Sequence, residues 1–303
     1  MTPGSHLLRA RFAALCTLLG SLAAVLALTS GWVRNETLSN QGWPATTAKL
    51  YRSQAVQLAV ADHLAGRLTD SAVVRAALSK AEIFGGLGVD AATLTHTAGG
   101  AVLRVMRTKE AERVWVAAST SAHEQLVYII RSDNPAPLGV SLDLGEVLDQ
   151  VLDAAGIPIA VPAGLGEVQV LNAAQLRTLR GDARKIRELA LGSLLLTVVL
   201  LLFGLLLATE RLRALARTGV GLALAGLLII ALRPPALDII AHSLTSNPTD
   251  RSAVHATLEI LSAPLLHASE LLAAVAAGVA LSAWLLRLAL QGLSRSRGAT
   301  SLR

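Results

Sequence analysis

Four long apolar segments divide the chain into a polar middle and two hydrophobic flanks. The first covers Phe12–Val33 and is followed by about 155 mostly polar residues. The other three cover Leu189–Ala208, Leu212–Leu232 and Leu265–Leu286. Each approaches the ~20 residues needed to cross a hydrocarbon core of ~30 Å. The pattern predicts a mainly α membrane protein with four transmembrane helices.

The first apolar segment is predicted to be an uncleaved anchor. It is 22 residues long and is preceded by Arg9 and Arg11. A cleaved signal peptide has a shorter apolar region of roughly 7 to 15 residues that ends in a small-residue cleavage site. Residues 1–33 therefore form a cytoplasmic amino terminus and an anchor helix in this interpretation.

The charges of the short loops predict the orientation of the chain. Arginines cluster before the first span, between the second and third spans, and after the fourth, and such clusters usually stay in the cytoplasm. They are Arg9, Arg11, Arg211, Arg213, Arg217, Arg287, Arg295, Arg297 and Arg303. This orientation makes residues 34–188 extracytoplasmic, residues 189–290 a three-helix transmembrane region with an outer loop at 233–262, and residues 291–303 a cytoplasmic tail. The predicted location is the cell (inner) membrane, with several passes.

Helical periodicity dominates the polar insert. It predicts helices over Ser53–Leu78 with a restart at Asp70, Asp90–Met106, Ala111–Ile130 and Gly145–Ala155, with a glycine turn at Gly85, Gly86 and Gly88. Two segments, Leu138–Leu142 and Glu167–Leu171, alternate like strands and could pair. A capping pattern at Asn172 and Gln175 begins a helix that runs into the second span. We therefore expect a mostly helical extracytoplasmic domain that carries a minor two-strand element.

Composition narrows the classes of function. The chain is 53% hydrophobic, with a net charge of +6. Residues 34–188 hold 16 basic and 16 acidic residues, so the whole excess of positive charge lies at the membrane flanks. The basic pI of 10.2 therefore does not indicate a nucleic-acid partner. The single cysteine, Cys16, lies in the first span, so the insert has no disulfides.

Several segments resemble a known kind of membrane protein. They are WVAASTSAHEQL, with Trp115 and His123, then VSLDLGEVLDQV, QVLNAAQLRTLR and the apolar stretch from Leu194 onward. Over roughly residues 45 to 235 the chain resembles the uncharacterised integral membrane proteins common in actinomycetes. That resemblance implies an amino-terminal anchor, a helical extracytoplasmic insert and clustered carboxy-terminal spans, but it implies no activity.

Familiar catalytic motifs are incomplete in this sequence. His123 and Glu124 begin like a zinc-binding HExxH motif, but Val127 stands at the second histidine position. Ser141 lies in a strand-like segment that lacks the final glycine of a nucleophile elbow. We therefore expect no catalytic residues and no cofactor, and we expect His123 to be structural or to lie on the surface.

Four arginines form a stripe on the helix that enters the second span. Arg177, Arg180, Arg184 and Arg187 fall within about 80° at 100° per residue. Such a stripe could bind anionic lipid headgroups, with about 1 kcal/mol per charge. The alternative is a solvated face that pairs with acidic residues of the insert.

A second polar cluster lies near the start of the fourth span. His255, Glu259, His267 and Glu270 would share an arc of about 120° on one helix, although Pro264 could kink it. The cluster could bind a divalent metal ion or relay protons, since ionisable groups inside a membrane are costly and usually functional. The alternative is a set of side chains at the outer membrane boundary.

These patterns favour a non-enzymatic cell-envelope protein with an extracytoplasmic interaction, sensing or scaffold domain. Small residues in the third and fourth spans, such as Gly219, Gly226 and Ala276, favour close helix packing within the chain or between copies. The expected partners are the lipid bilayer, including anionic lipids, and a second copy or another membrane protein. The alternative functions are a small transporter or lipid-handling subunit, or a metal-dependent membrane enzyme that uses the histidine and glutamate cluster.

Overall fold

The computed structural model describes residues 3–37, 39–70, 99–131, 139–154, 164–208 and 210–300. In chain order its elements are α1 (Pro3–Thr37), α2 (Trp43–Arg52), α3 (Gln54–Asp70), α4 (Lys109–Arg131), β1 (Gly139–Asp143), α5 (Gly145–Ala154), β2 (Glu167–Asn172), α6 (Ala173–Leu207), α7 (Arg211–Leu244) and α8 (Pro248–Thr300). Residues 99–105 form a further helical stretch.

The chain divides into two compact units. The membrane unit comprises Met1–Thr37, Arg184–Ala236 and Ser262–Arg303. The domain unit comprises Leu38–Ala183 and Leu237–Leu261. Both α7 and α8 contribute residues to each unit.

Four helices are long and apolar enough to cross a membrane, as the sequence predicts. The stretches lie in α1, α6, α7 and α8, and their mean hydropathy is between 2.0 and 2.7. They are Arg11–Glu36, Leu176–Leu207, Arg211–Leu244 and Pro248–Gln291. Large apolar side chains such as Leu195 and Leu206 point away from the protein on these helices, as expected where hydrocarbon is the solvent.

Glycines set the close contacts of the membrane unit. On α7, a Cβ at Gly219 would lie 2.6 Å from the carbonyl oxygen of Ala276, and one at Gly226 would lie 2.7 Å from that of Ser269. Gly221, on another face of α7, lies against Ser21 of α1. The small residues of the third span therefore pack within the chain, and α7 lies between α1 and α8.

The segment predicted as an outer loop, 233–262, is mostly helical. Helix α7 continues through Pro234 and Pro235 to Leu244, and α8 begins at Pro248. A proline inside a helix costs about 3 kcal/mol because it removes a hydrogen bond and clashes with the preceding turn. Burial of Leu237 and Ala241 beyond the prolines offsets this cost.

The domain unit has a core of large apolar side chains. Leu64, Val102, Met106 and Leu148 are almost fully buried and belong to one cluster, which also contains Trp115. Ala253, from the start of α8, packs against the same cluster. Residues 237–261 are therefore part of this folded unit.

Two short strands pair at one edge of the domain unit. β1 and β2 run antiparallel, with Gly139 opposite Asn172 and Asp143 opposite Glu167. The register shifts between Val140 and Ser141, so Ser141 sits at an irregular point of a strand and not at a strand-to-helix turn. Leu176, at the start of α6, is fully buried in a second small cluster that includes Val140.

The described insert differs from the predicted one at its beginning. Helix α2 is absent from the sequence prediction, although Pro44 occupies an early helix position after Gly42, whose φ is +87°. Helix α3 extends to Asp70, as the predicted restart there allows. The second short helix, the glycine turn at Gly85, Gly86 and Gly88, and the first part of the predicted helix Asp90–Met106 lie outside the described residues.

Candidate functional site

One predicted metal ligand, His255, pairs with an aspartate in the domain unit. Nε2 of His255 on α8 lies 3.2 Å from Oδ1 of Asp238 on α7. The connection between these helices is only three residues long, and Asn247 caps α8 by accepting a 3.0 Å hydrogen bond from the Thr249 N–H. The pair therefore joins the two arms of a helical hairpin. Asp238 is a partner that the predicted ligand set omits.

Two of the other three predicted ligands form a loose pair within the membrane unit. Nδ1 of His267 lies 3.9 Å from Oε2 of Glu270, one helical turn further along α8, and both side chains are exposed. Glu259 takes part in an interaction of its own. Within the described ranges, no three His, Cys, Asp or Glu side chains come close enough together to hold a metal ion. The structure thus brings the predicted ligands into pairs and not into one coordination sphere.

The four stripe arginines differ in their surroundings. Arg180 donates two hydrogen bonds, of 3.1 and 2.7 Å, from Nε and Nη2 to the carbonyl oxygen of Ile129 at the end of α4. This carbonyl belongs to the last turn of a helix, where carbonyl oxygens lack helical partners. Arg177, Arg184 and Arg187 are exposed, and Arg184 has an interaction of its own. The stripe therefore includes at least one arginine with a structural role.

A ring pair lies where α2 and α4 meet. The rings of Trp43 and His123 stack with centroids 3.9 Å apart and planes within 9°. Nε2 of His123 donates to the carbonyl oxygen of Ser39 at 3.1 Å, and Nε1 of Trp43 donates to that of Ser119 at 3.2 Å. Burial lowers the pKa of His123, although the Ser39 carbonyl and Glu124 both act to raise it. His123 is thus a buried structural residue, as one of the two sequence interpretations expects.

Two more aromatic groups tie α2 to the rest of the domain unit. The Tyr51 hydroxyl donates to the carbonyl oxygen of Met106 at 2.5 Å, and Nε1 of Trp115 donates to that of Thr47 at 3.3 Å. Burial, with a smaller effect from Glu112, raises the pKa of Tyr51 to about 12. A neutral, hydrogen-bonded phenol is suited to fixing a fold and not to acting as a base near neutral pH.

An open groove runs beside these contacts on the domain surface. Its volume is about 750 Å³, and Pro44, Val116 and Ala117 form apolar parts of its lining. Charged side chains of both signs border it, namely Lys109, Glu110, Glu112, Arg113 and Glu124. A mixed border of this kind suits a polar protein surface, since a nucleic-acid site requires clustered positive charge.

No protein-family model, curated protein or solved structure matches this chain. The resemblance to actinomycete membrane proteins therefore stays a prediction.

Proposed function

We propose that this is a non-enzymatic, multi-pass protein of the cell membrane that displays its domain unit outside the cytoplasm as an interaction, sensing or scaffold module. The observation that carries the proposal is that aromatic and histidine side chains of the domain unit serve as hydrogen-bond donors within the fold. Trp43, Tyr51, Trp115 and His123 all donate to backbone carbonyl oxygens far away in the sequence. These groups stabilise the tertiary structure of the domain unit.

The charge distribution of the membrane unit supports the proposed orientation. Arg211, Arg213 and Arg217 lie in the first two turns of α7, and Arg287 lies in the same cavity lining as Arg213 and Arg217. Clusters of arginine beside spans are retained on the cytoplasmic side. The opposite end of α7 leads into the hairpin at Leu244 and Pro248, which this orientation places outside.

The groove bordered by α2 and α4 is the surface that we assign to a partner. Its apolar floor and its border of mixed charge match the usual anatomy of an interface, which has an apolar centre and a polar rim. We propose that the partner is another protein of the envelope or a second copy of this chain.

The orientation is tested by cysteine labelling of intact cells. In a Cys16→Ala background, Ser121→Cys places a thiol at an exposed position of α4, and Gln291→Cys places one near the end of the last span. An impermeant maleimide should label the first variant in intact cells and the second only after permeabilisation. The reverse pattern would place the domain unit in the cytoplasm and overturn the proposal.

The binding surface is tested by site-specific photo-crosslinking in living cells. A photoreactive amino acid at Ala117, in the groove, should give a discrete protein adduct of defined mass. The same amino acid at Tyr128, which is 67% exposed on the same helix, is the matched control. Equal adducts at both positions, or none at Ala117, would remove the groove as the binding surface.

A further inference from the structure

The membrane unit contains two apolar grooves that share one ridge. The α1–α7 groove has a volume of about 620 Å³, and the α7–α8 groove has a volume of about 600 Å³. Arg217, Val220 and Leu224 line both grooves. At 100° per residue these three positions fall within about 60° on α7, so they form a ridge with a groove on each side.

Arginines gather at one end of both grooves. Arg213 and Arg287 line the α7–α8 groove, and each lies 3.2 Å from a carboxylate oxygen of Glu210. Arg217 takes part in no ion pair or side-chain hydrogen bond with any residue that the structure describes. Arg213 and Arg287 thus share one carboxylate, and the three arginines together with Glu210 carry a net charge of +2.

A small polar cavity joins this end of the grooves. It has a volume of about 110 Å³, and Thr17, Glu210, Arg213 and Arg217 contribute to its lining. Thr17 and Arg217 also line the α1–α7 groove, so the cavity adjoins that groove. Polar side chains thus lie at the end of two apolar grooves.

The length of the channels matches one leaflet of a bilayer. The α1 side of the α1–α7 groove extends from Ala14 to Val25, which corresponds to about 16 Å at 1.5 Å per residue. Half of a hydrocarbon core of ~30 Å is ~15 Å. Arg217 lies six residues after the start of α7, or about 9 Å along the axis. A charge inside a bilayer is costly, and an anion beside it lowers that cost.

We infer that this region is a binding site for one anionic diacyl phospholipid. Its phosphate would bind Arg217 with the support of Arg213 and Arg287, and its two acyl chains would lie on either side of the ridge. Charge complementarity selects the occupant, since the apolar grooves alone would accept any lipid. This site is separate from the arginine stripe on α6 and does not depend on the proposed role of the domain unit.

Quenching of tryptophan fluorescence tests the site. Trp284 lines the α7–α8 groove, so a lipid with brominated acyl chains that enters the groove will quench it. The protein is reconstituted in phosphatidylcholine vesicles that contain a minor fraction of either brominated phosphatidylglycerol or brominated phosphatidylcholine. The difference between the wild type and Trp284→Phe isolates the signal of Trp284. Quenching by the anionic lipid should exceed quenching by the zwitterionic lipid at equal fraction.

Matched variants test the headgroup contact and the acyl-chain grooves separately. Arg217→Gln should reduce the preference for phosphatidylglycerol about fivefold, which corresponds to ~1 kcal/mol per cation. Arg211→Gln, on the same helix but in the lining of neither groove, should leave it unchanged. Ala277→Leu should fill the α7–α8 groove and lower the excess quenching, whereas Ala274→Leu, outside both linings, should not.

Three outcomes would overturn the inference. Equal quenching by the two brominated lipids would show a groove without headgroup selection. A preference that survives Arg217→Gln would assign the selection to other cations. A signal that is insensitive to Ala277→Leu would show that the acyl chains lie elsewhere.

Discussion

The two units of the protein differ in the size of the side chains that they bury. The domain unit encloses large residues such as Leu64, Met106 and Leu148, whereas the membrane unit buries mostly small ones such as Ala23 and Ala276 and exposes most of its leucines. In water, burial of apolar surface drives folding, so large apolar residues lie inside. In lipid that driving force between helices is absent, and close contact between small residues stabilises the bundle instead.

Buried hydroxyl and indole groups show the same contrast. In the membrane unit, Thr197 and Ser269 donate to carbonyl oxygens four residues earlier in their own helices, at 2.7 and 2.8 Å. In the domain unit, Tyr51 and Trp115 donate to carbonyl oxygens 55 and 68 residues away. Tyr51 and Trp115 thus stabilise the tertiary structure of the domain unit, whereas Thr197 and Ser269 bond within their own helices.

Truncation of leucine gives the sharpest test of this contrast. Leu64→Ala in the domain core should cost about 2 to 5 kcal/mol, because it removes buried surface and leaves a cavity. Leu195→Ala, at a position 65% exposed on α6, should cost little because the lipid replaces the lost contacts. Near-UV circular dichroism during thermal unfolding measures both. A large loss for Leu195→Ala would show that the exposed face of α6 is an interface.

Addition of one methyl group at a glycine tests the close helix packing of the membrane unit. Gly226→Ala places a Cβ 2.7 Å from the carbonyl oxygen of Ser269, so α7 and α8 must separate, at a cost of about 1 to 3 kcal/mol. Gly278→Ala meets no atom within 4 Å and should be neutral or slightly stabilising, because alanine is the better helix former. Thermal stability in detergent distinguishes them. Equal stability of the two variants would contradict the tight α7–α8 contact.

Substitution of the stripe arginines distinguishes an arginine with a structural role from an exposed one. Arg180→Gln removes two hydrogen bonds to Ile129 and should lower stability by about 1 to 2 kcal/mol. Arg177→Gln, at an exposed position, should change it by less than about 0.5 kcal/mol. Phosphatidylglycerol or cardiolipin retained during purification provides an independent measurement. If Arg177→Gln loses lipid while the fold is intact, the exposed arginines bind headgroups.

Acid should weaken the domain unit through His123. Burial lowers its pKa in the folded state below the ordinary value of 6.5, so the unfolded chain binds the proton first as the pH falls. The stabilising effect is therefore complete above pH 6.5 and is lost progressively below it. Unfolding measured over this range should show a pH slope that His123→Gln reduces. His63→Gln, on the exposed side of α3, should keep the slope, and an unchanged slope in His123→Gln would assign it to another group.

Local patterns along the chain were enough to predict the spans and most described helices of the insert. The spans follow from uninterrupted apolar runs, and α4, α5 and the start of α6 agree within a few residues with periodicity and capping signals. These features depend on neighbours three or four positions apart, which a linear sequence displays directly. The predicted strands Leu138–Leu142 and Glu167–Leu171 likewise overlap β1 and β2, except that Leu138 lies outside the described residues.

Long-range partners were decided only by the tertiary structure. The third predicted span ends at Leu232, before Pro234 and Pro235, yet α7 stays helical to Leu244 with Leu237 and Ala241 buried. His255 joins Asp238 and not His267, and Trp43 stacks on His123 across 80 positions of sequence. Such pairs depend on which faces of distant helices meet, and that choice is a balance of burial and close packing that no local spacing records.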